Sequence, residues 1–77
     1  MTDLADLTPL ERAVLAFEQG WRGASGLKEA QAKQAFGLSA TRYYQMLAAL
    51  AFDPRAMAEF PVLCATLRAQ MGPRRRR

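Results

Sequence analysis

Seventy-seven residues carrying eleven basic and seven acidic side chains, with no histidine, bound this chain to one small domain. A single cysteine, Cys64, excludes an internal disulfide, and without histidine no zinc-ligand set exists, so neither metal nor cofactor is expected. The net charge of +4 belongs to Arg74, Arg75, Arg76 and Arg77, because residues 1–73 hold seven charges of each sign.

Residues 1–7 are polar and acidic without a clear period, and are expected to form a flexible N-terminus. Asp3 and Asp6 stand where a signal peptide needs basic and then apolar residues. No apolar run approaches the roughly 20 residues of a bilayer span. A cytoplasmic location follows as an expectation, with no membrane partner. The helical domain is expected over 8–71, and a basic, disordered tail over 72–77.

The first helix opens on Thr8-Pro9-Leu10-Glu11: a capping threonine, a proline at the first helical position, and a glutamate able to reach back to the cap. Leu10, Val14, Phe17 and Trp21 form one apolar stripe, which predicts a helix reaching Trp21 or Arg22. A loop over 23–26 leads to a second helix from Leu27 to Phe36. Its apolar side is thin (Leu27, Ala32, Ala35 and Phe36), with Lys28, Glu29 and Lys33 turned to water. Asp53-Pro54 repeats the cap-then-proline signal for a short helix through Glu59. Pro61 restarts the chain for a last helix to Met71, closed by Gly72-Pro73. Cys64, beside Val62, Leu63 and Leu67, reads as a small core residue. No five-residue stretch alternates as a strand would, so the fold class is all-α, a small bundle of four to five short helices.

The run Phe36-Gly37-Leu38-Ser39-Ala40-Thr41-Arg42-Tyr43-Tyr44-Gln45 is the most specific signal. Gly37 can take the positive φ that closes a helix, Leu38 can drop into the core, and Ser39 can cap the next helix. This is the layout of a helix-turn-helix, whose second helix reads the DNA major groove. The reading unit would be residues 27–51, with recognition by the helix from about Ser39 to Ala51. Tyr43, Met46, Leu47 and Leu50 make its inner stripe, and the outer face centres on Thr41, Gln45 and Ala48. Phe17, Trp21, Phe36, Tyr43, Leu47 and Leu50 are the expected core. Thr41 and Gln45 are candidate base readers. Arg42 is a candidate for guanine or phosphate, and Tyr44 for sugar or phosphate packing. Ser39, Lys28 and Lys33 complete the candidate set on the body, and Arg74–Arg77 form a phosphate arm.

Catalysis needs at least two mutually placed groups, one with a tuned pKa. The chain offers no histidine and no paired carboxylates inside a predicted cleft, and Ser25 and Ser39 lie beside helix starts where serine caps. A non-enzyme is expected.

At Leu38–Gln45, together with Glu11–Glu18 and Lys28–Ala30, the chain resembles a family of short actinobacterial proteins of unknown function. The resemblance spans residues 8–63 and implies a helix-turn-helix that binds double-stranded DNA. More distantly, the Leu7-Thr8-Pro9 opening followed by the Gly37-Leu38-Ser39 turn is similar to the promoter-reading end of a sigma factor. Two positions depart from those patterns. Lys33 stands four residues before the turn glycine, where a small residue is usual, and the last helix carries Arg68 where a strongly basic surface would be expected. The implied function is a small transcriptional regulator, associated with the nucleoid. The rival readings are a module docking on RNA polymerase or another protein, a homodimer, and a sequence-indifferent architectural DNA binder. The surface for docking would run through Ala48, Ala49, Ala51 and Phe52 toward Phe60.

Overall fold

Local chemistry starts most of the helices. Thr8 Oγ1 accepts from the Glu11 N–H at 3.1 Å, and Glu11 Oε1 accepts from the Thr8 N–H at 2.9 Å, completing a capping box for α1, Pro9–Gly20. Ser39 Oγ accepts from the Arg42 N–H at 3.2 Å at the start of α3, Ala40–Ala51. Asp53 Oδ1 accepts from the Arg55 N–H at 2.9 Å at the start of α4, Pro54–Glu59. Pro61 opens α5, Pro61–Met71. The computed structural model describes residues 6–71, and among them these four helices and α2, Ser25–Phe36, form an all-α bundle without strands.

Two boundaries differ from expectation. α1 stops at Gly20, and Trp21 is already extended (φ −73°, ψ 136°), which turns the chain into the loop and leaves the indole 5.6 Å from the Phe17 ring. The Trp21 Nε1–H is buried without a partner among the described residues. α2 starts two residues early. Ala24 precedes it without a side-chain cap, and Ser25 lies inside the helix and does not cap it. A Lys28 N–H bond to the Ala24 carbonyl at 3.1 Å closes that first turn despite Gly26. A glycine there costs about 1 kcal/mol relative to alanine.

α3 is the central helix and packs against all four others. Tyr43, Leu47, Leu50 and Ala51 on its inner face are buried, together with Val14 and Leu15 of α1, Ala32 of α2, Ala56 of α4, and Cys64 and Leu67 of α5. Ala51, expected on an exposed docking stretch, is fully buried, whereas Phe52 beside it is 61% exposed. Phe17 and Phe36 only partly enter the core, and Trp21 is half-buried. In α1 the inward face is rotated from the predicted stripe: Leu15 is fully buried and Leu10 is 41% exposed. Leu27 and Ala35 are exposed too. α2 therefore seats itself through Ala32, Phe36 and polar contacts instead of a broad apolar face. Leu7, assigned by sequence to the flexible stretch, is buried in the core. Residues 1–5 and the segment 72–77 lie outside the described residues.

Ionic contacts bind the α1–α4 side. Arg55 donates to Asp53 Oδ2 at 2.7 Å, to Glu11 Oε2 at 3.2 Å and to the Asp6 carbonyl at 3.1 Å. Arg12 grips Glu59 with two hydrogen bonds, at 3.0 and 2.9 Å. Arg68 donates to the Ala51 carbonyl at 2.8 Å, satisfying an acceptor that the end of α3 would leave open. Cys64 is a core residue, its thiol pKa pushed up by burial. No helix among the described residues is long and apolar enough to cross a membrane.

Candidate nucleic-acid interface

The chain between α2 and α3 is three residues long. Gly37 has φ +72°, and its N–H bonds the Lys33 carbonyl at 2.8 Å. A Cβ at Gly37 would meet nothing within 4 Å, so backbone conformation, not crowding, requires glycine. Leu38 is half-buried against the core and pins the turn. The small residue where α2 packs closely is Ala32, fully buried, one position before the exposed Lys33. The departure noted at Lys33 is thus answered by its neighbour.

Because α3 packs against every other helix, only one strip of it meets solvent. Thr41, Arg42 and Gln45 are exposed there, and Arg42 and Gln45 line, with Met46, a shallow concavity of about 340 Å³. Tyr44 flanks the strip, 37% exposed. Ser39 is exposed at its head with its oxygen engaged in capping. Ala48, placed by sequence at the centre of the outer face, is half-buried where α5 approaches.

Lys28 departs from its expected place in water. Its side chain is 12% exposed, and Nζ lies 3.0 Å from both carboxylate oxygens of Glu18. The Tyr43 hydroxyl donates to the same Glu18 Oε1 at 2.8 Å, and the Tyr44 ring lies 5.5 Å from Nζ, within cation–π range. One carboxylate of α1 thus holds a cation of α2 and a phenol of α3. Burial, then the bond to Glu18, drives the Tyr43 pKa far above its ordinary value. Burial also raises that of Tyr44; Lys28 opposes this and the Glu29 carboxylate reinforces it. Glu18 was not anticipated, though a signal existed: it lies four residues after Val14, on the inward side of α1.

Charge is therefore divided unevenly over the surface. Arg12, Lys28 and Arg55 are spent on carboxylates, and Arg22 and Arg68 donate to backbone carbonyls. Among the described residues, Lys33 and Arg42 are the two basic side chains whose charged groups make no hydrogen bond or ion pair. Both lie on the helices joined at Gly37. Of the predicted set, Ser39, Thr41, Arg42, Tyr44 and Gln45 share the exposed side of α3, Lys33 stands exposed on α2, Lys28 is drawn inward, and Arg74–Arg77 lie outside the described residues.

The fold defines a small all-α protein whose central helix, set off by a three-residue turn, keeps a single polar strip in solvent. By sequence, the chain belongs to the family described as Protein of unknown function (DUF3263), whose model matches residues 6–77. That match takes in all of residues 8–63 and extends beyond them on both sides. No curated protein and no solved structure matches the chain.

Proposed function

We propose that this protein is a helix-turn-helix DNA binder, a small transcriptional regulator that reads the major groove with α3. The observation that carries this reading is the position of the free cations. The body is nearly neutral, yet Lys33 and Arg42, beside the Gly37 turn, stay unpaired while the other basic groups of residues 6–71 are engaged. In this reading Thr41 and Gln45 contact base edges, Arg42 a guanine or phosphate, Ser39 and Tyr44 the backbone, and Lys33 a phosphate. Lys28 acts from within, by holding Glu18 and Tyr44 in place. The likeness of the Leu7-Thr8-Pro9 opening and the turn to the promoter-reading end of sigma factors supports the same class.

The test is an unbiased selection of bound duplex sequences, followed by binding of Thr41→Ala/Gln45→Ala to the selected site. The double variant keeps the parent fold and loses about 1–3 kcal/mol of discrimination for each true base contact. Equal affinity and selectivity in parent and variant would remove base reading from this face. Replacing Arg74–Arg77 by glutamine flattens the slope of log K against log salt by up to about 3.6 if all four meet phosphates.

A second reading, docking on RNA polymerase or another protein, draws on a different surface. A groove of about 550 Å³ between the end of α1 and α5 is walled by Trp21, Phe60, Pro61, Val62 and Leu63, with Val62 77% exposed. Val62→Glu leaves DNA binding intact, and loss of a polymerase interaction in that variant would favour this reading.

A further inference from the structure

The groove between the end of α1 and the start of α5 has apolar walls and an unevenly charged rim. Trp21, Phe60, Pro61 and Leu63 enclose a concavity of about 550 Å³, and Val62 stands at its edge, 77% exposed. Glu18, Arg22 and Glu59 supply the charges. Glu18 is held by Lys28 at 3.0 Å and Glu59 by Arg12 at 2.9 Å, so both carboxylates are already paired. Arg22 is exposed and meets no carboxylate among the described residues. It donates, at 3.3 Å, to the carbonyl of the adjacent Trp21. α1 ends and α5 begins at this groove, so their terminal dipoles oppose each other and Arg22 decides the sign.

A second copy of this chain does not supply the matching charge. Asp6 and Glu29 are the carboxylates that make no ion pair among the described residues, and neither lines the groove. An isologous pair sets the same patch face to face, which would add a second uncompensated Arg22 and no free carboxylate. The described residues also form no strand, so an extended peptide finds no sheet edge to pair with. A groove walled by apolar side chains of two helices suits a helix with one apolar face, anchored through residues at i, i+3, i+4 and i+7.

We propose that this groove binds an amphipathic helix of another protein. The apolar face of that helix lies against Trp21, Phe60, Val62 and Leu63, and an aspartate or glutamate on its flank pairs with Arg22. This rests on the docking reading above and deepens it by naming the chemistry of the partner. It does not depend on DNA: Thr41, Arg42 and Gln45 of the α3 strip lie outside the groove lining, so duplex and helix can be held at once.

The test offers full-length protein a displayed library of tryptophan-free peptides long enough for about four helical turns. Binding of the selected peptides is read through Trp21, the one tryptophan of the chain. They are expected to carry apolar residues at helical spacing with an acidic residue alongside, and to gain helicity on binding. Val62→Glu is expected to weaken them about tenfold or more, as loss of an interface anchor does. Arg22→Glu is expected to turn the selection from acidic to basic flanks, and Arg42→Gln to leave it unchanged. Val62 and Arg22 are both exposed, so these variants should melt like the parent. Val62-sensitive peptides that bind in extended form, or without an acidic preference that Arg22→Glu reverses, overturn the proposal and leave docking by another partner standing. A dimer in sedimentation that Val62→Glu dissociates gives the groove to a second copy and overturns it too. Selection of no Val62-sensitive peptide overturns the docking reading and this proposal together, and leaves DNA reading by α3 untouched.

Discussion

The α1–α4 side and the α2–α3 side of the bundle use the same residue types for opposite purposes. On the first, Arg55 and Arg12 meet Asp53, Glu11 and Glu59 and tie distant parts of the chain together. On the second, Lys33 and Arg42 make no hydrogen bond or ion pair with their charged groups among the described residues, around a tight turn. Exposed ion pairs contribute little each, so the paired side mainly fixes where α4 lies and cancels charge. Arg22 and Arg68 keep their charge on backbone carbonyls, and Lys33 and Arg42 are the cations left without a hydrogen bond or ion pair among the described residues. Between the two sides sits Glu18, a carboxylate that joins α1, α2 and α3 through Lys28 and Tyr43.

The comparison is broken most severely from underneath. Leu47, 4% exposed on the inner face of α3, supports both sides at once. Leu47→Ala should cost about 2–5 kcal/mol, a large part of the stability of so small a domain. A thermal melt that does not move would place this face of α3 outside the core.

Glu18→Ala comes next. It strips the partly buried Lys28 amine and Tyr43 hydroxyl of their shared acceptor, and an unsatisfied group of this kind costs about 1–3 kcal/mol. Glu18→Gln should recover part of the loss, because an amide oxygen still accepts from Tyr43. Denaturant unfolding of the two variants reads the difference, and equal stability would mean the phenol bond contributes nothing.

A finer contrast sets Arg42→Gln against Arg12→Gln. The Arg42 variant should melt like the parent and reduce the salt slope of DNA binding by about 0.9 if the guanidinium meets one phosphate. The Arg12 variant should lower the melting temperature slightly and leave the salt slope alone, because its partner is Glu59. Reversed results would exchange the roles assigned to the two sides.

The smallest effect is on acid stability. Hydrogen bonds from Arg55 lower the Asp53 pKa below its ordinary 3.8, and those from Arg12 lower that of Glu59 below 4.5. A carboxylate whose pKa falls on folding stabilises the native state fully above its unfolded value, and the contribution disappears as pH drops through the native value. The melting temperature should therefore hold down to about pH 5 and fall below about pH 4. Asp53→Asn/Glu59→Gln should show a shallower fall, measured as the difference in melting temperature between the two pH values.

Much of this architecture was legible in the residues, for local reasons. Thr8, Ser39 and Asp53 cap where their side chains reach a backbone N–H within three residues, and Gly37 takes the positive φ its position demanded. Tyr43, Leu47 and Leu50 follow the helical period because the α3 core face is continuous. The exposed strip at Thr41, Arg42 and Gln45 follows as the remainder of that helix. The α1 stripe was less legible, since Val14 and Leu15 are both apolar and period alone does not say how wide the inward face is.

Capping and the Gly37 turn were thus determined by the sequence itself, because each depends on groups within about one helical turn. Tertiary structure alone decided which charges are spent. Arg12 finds Glu59 across 47 residues, Arg55 finds Glu11 across 44, and Lys28 leaves water for Glu18. The same assembly buried Leu7 and Ala51 while leaving Leu27 exposed. An ion pair or a buried contact between helices depends on distances that exist only after the helices dock. Residue types by themselves leave many such pairings open.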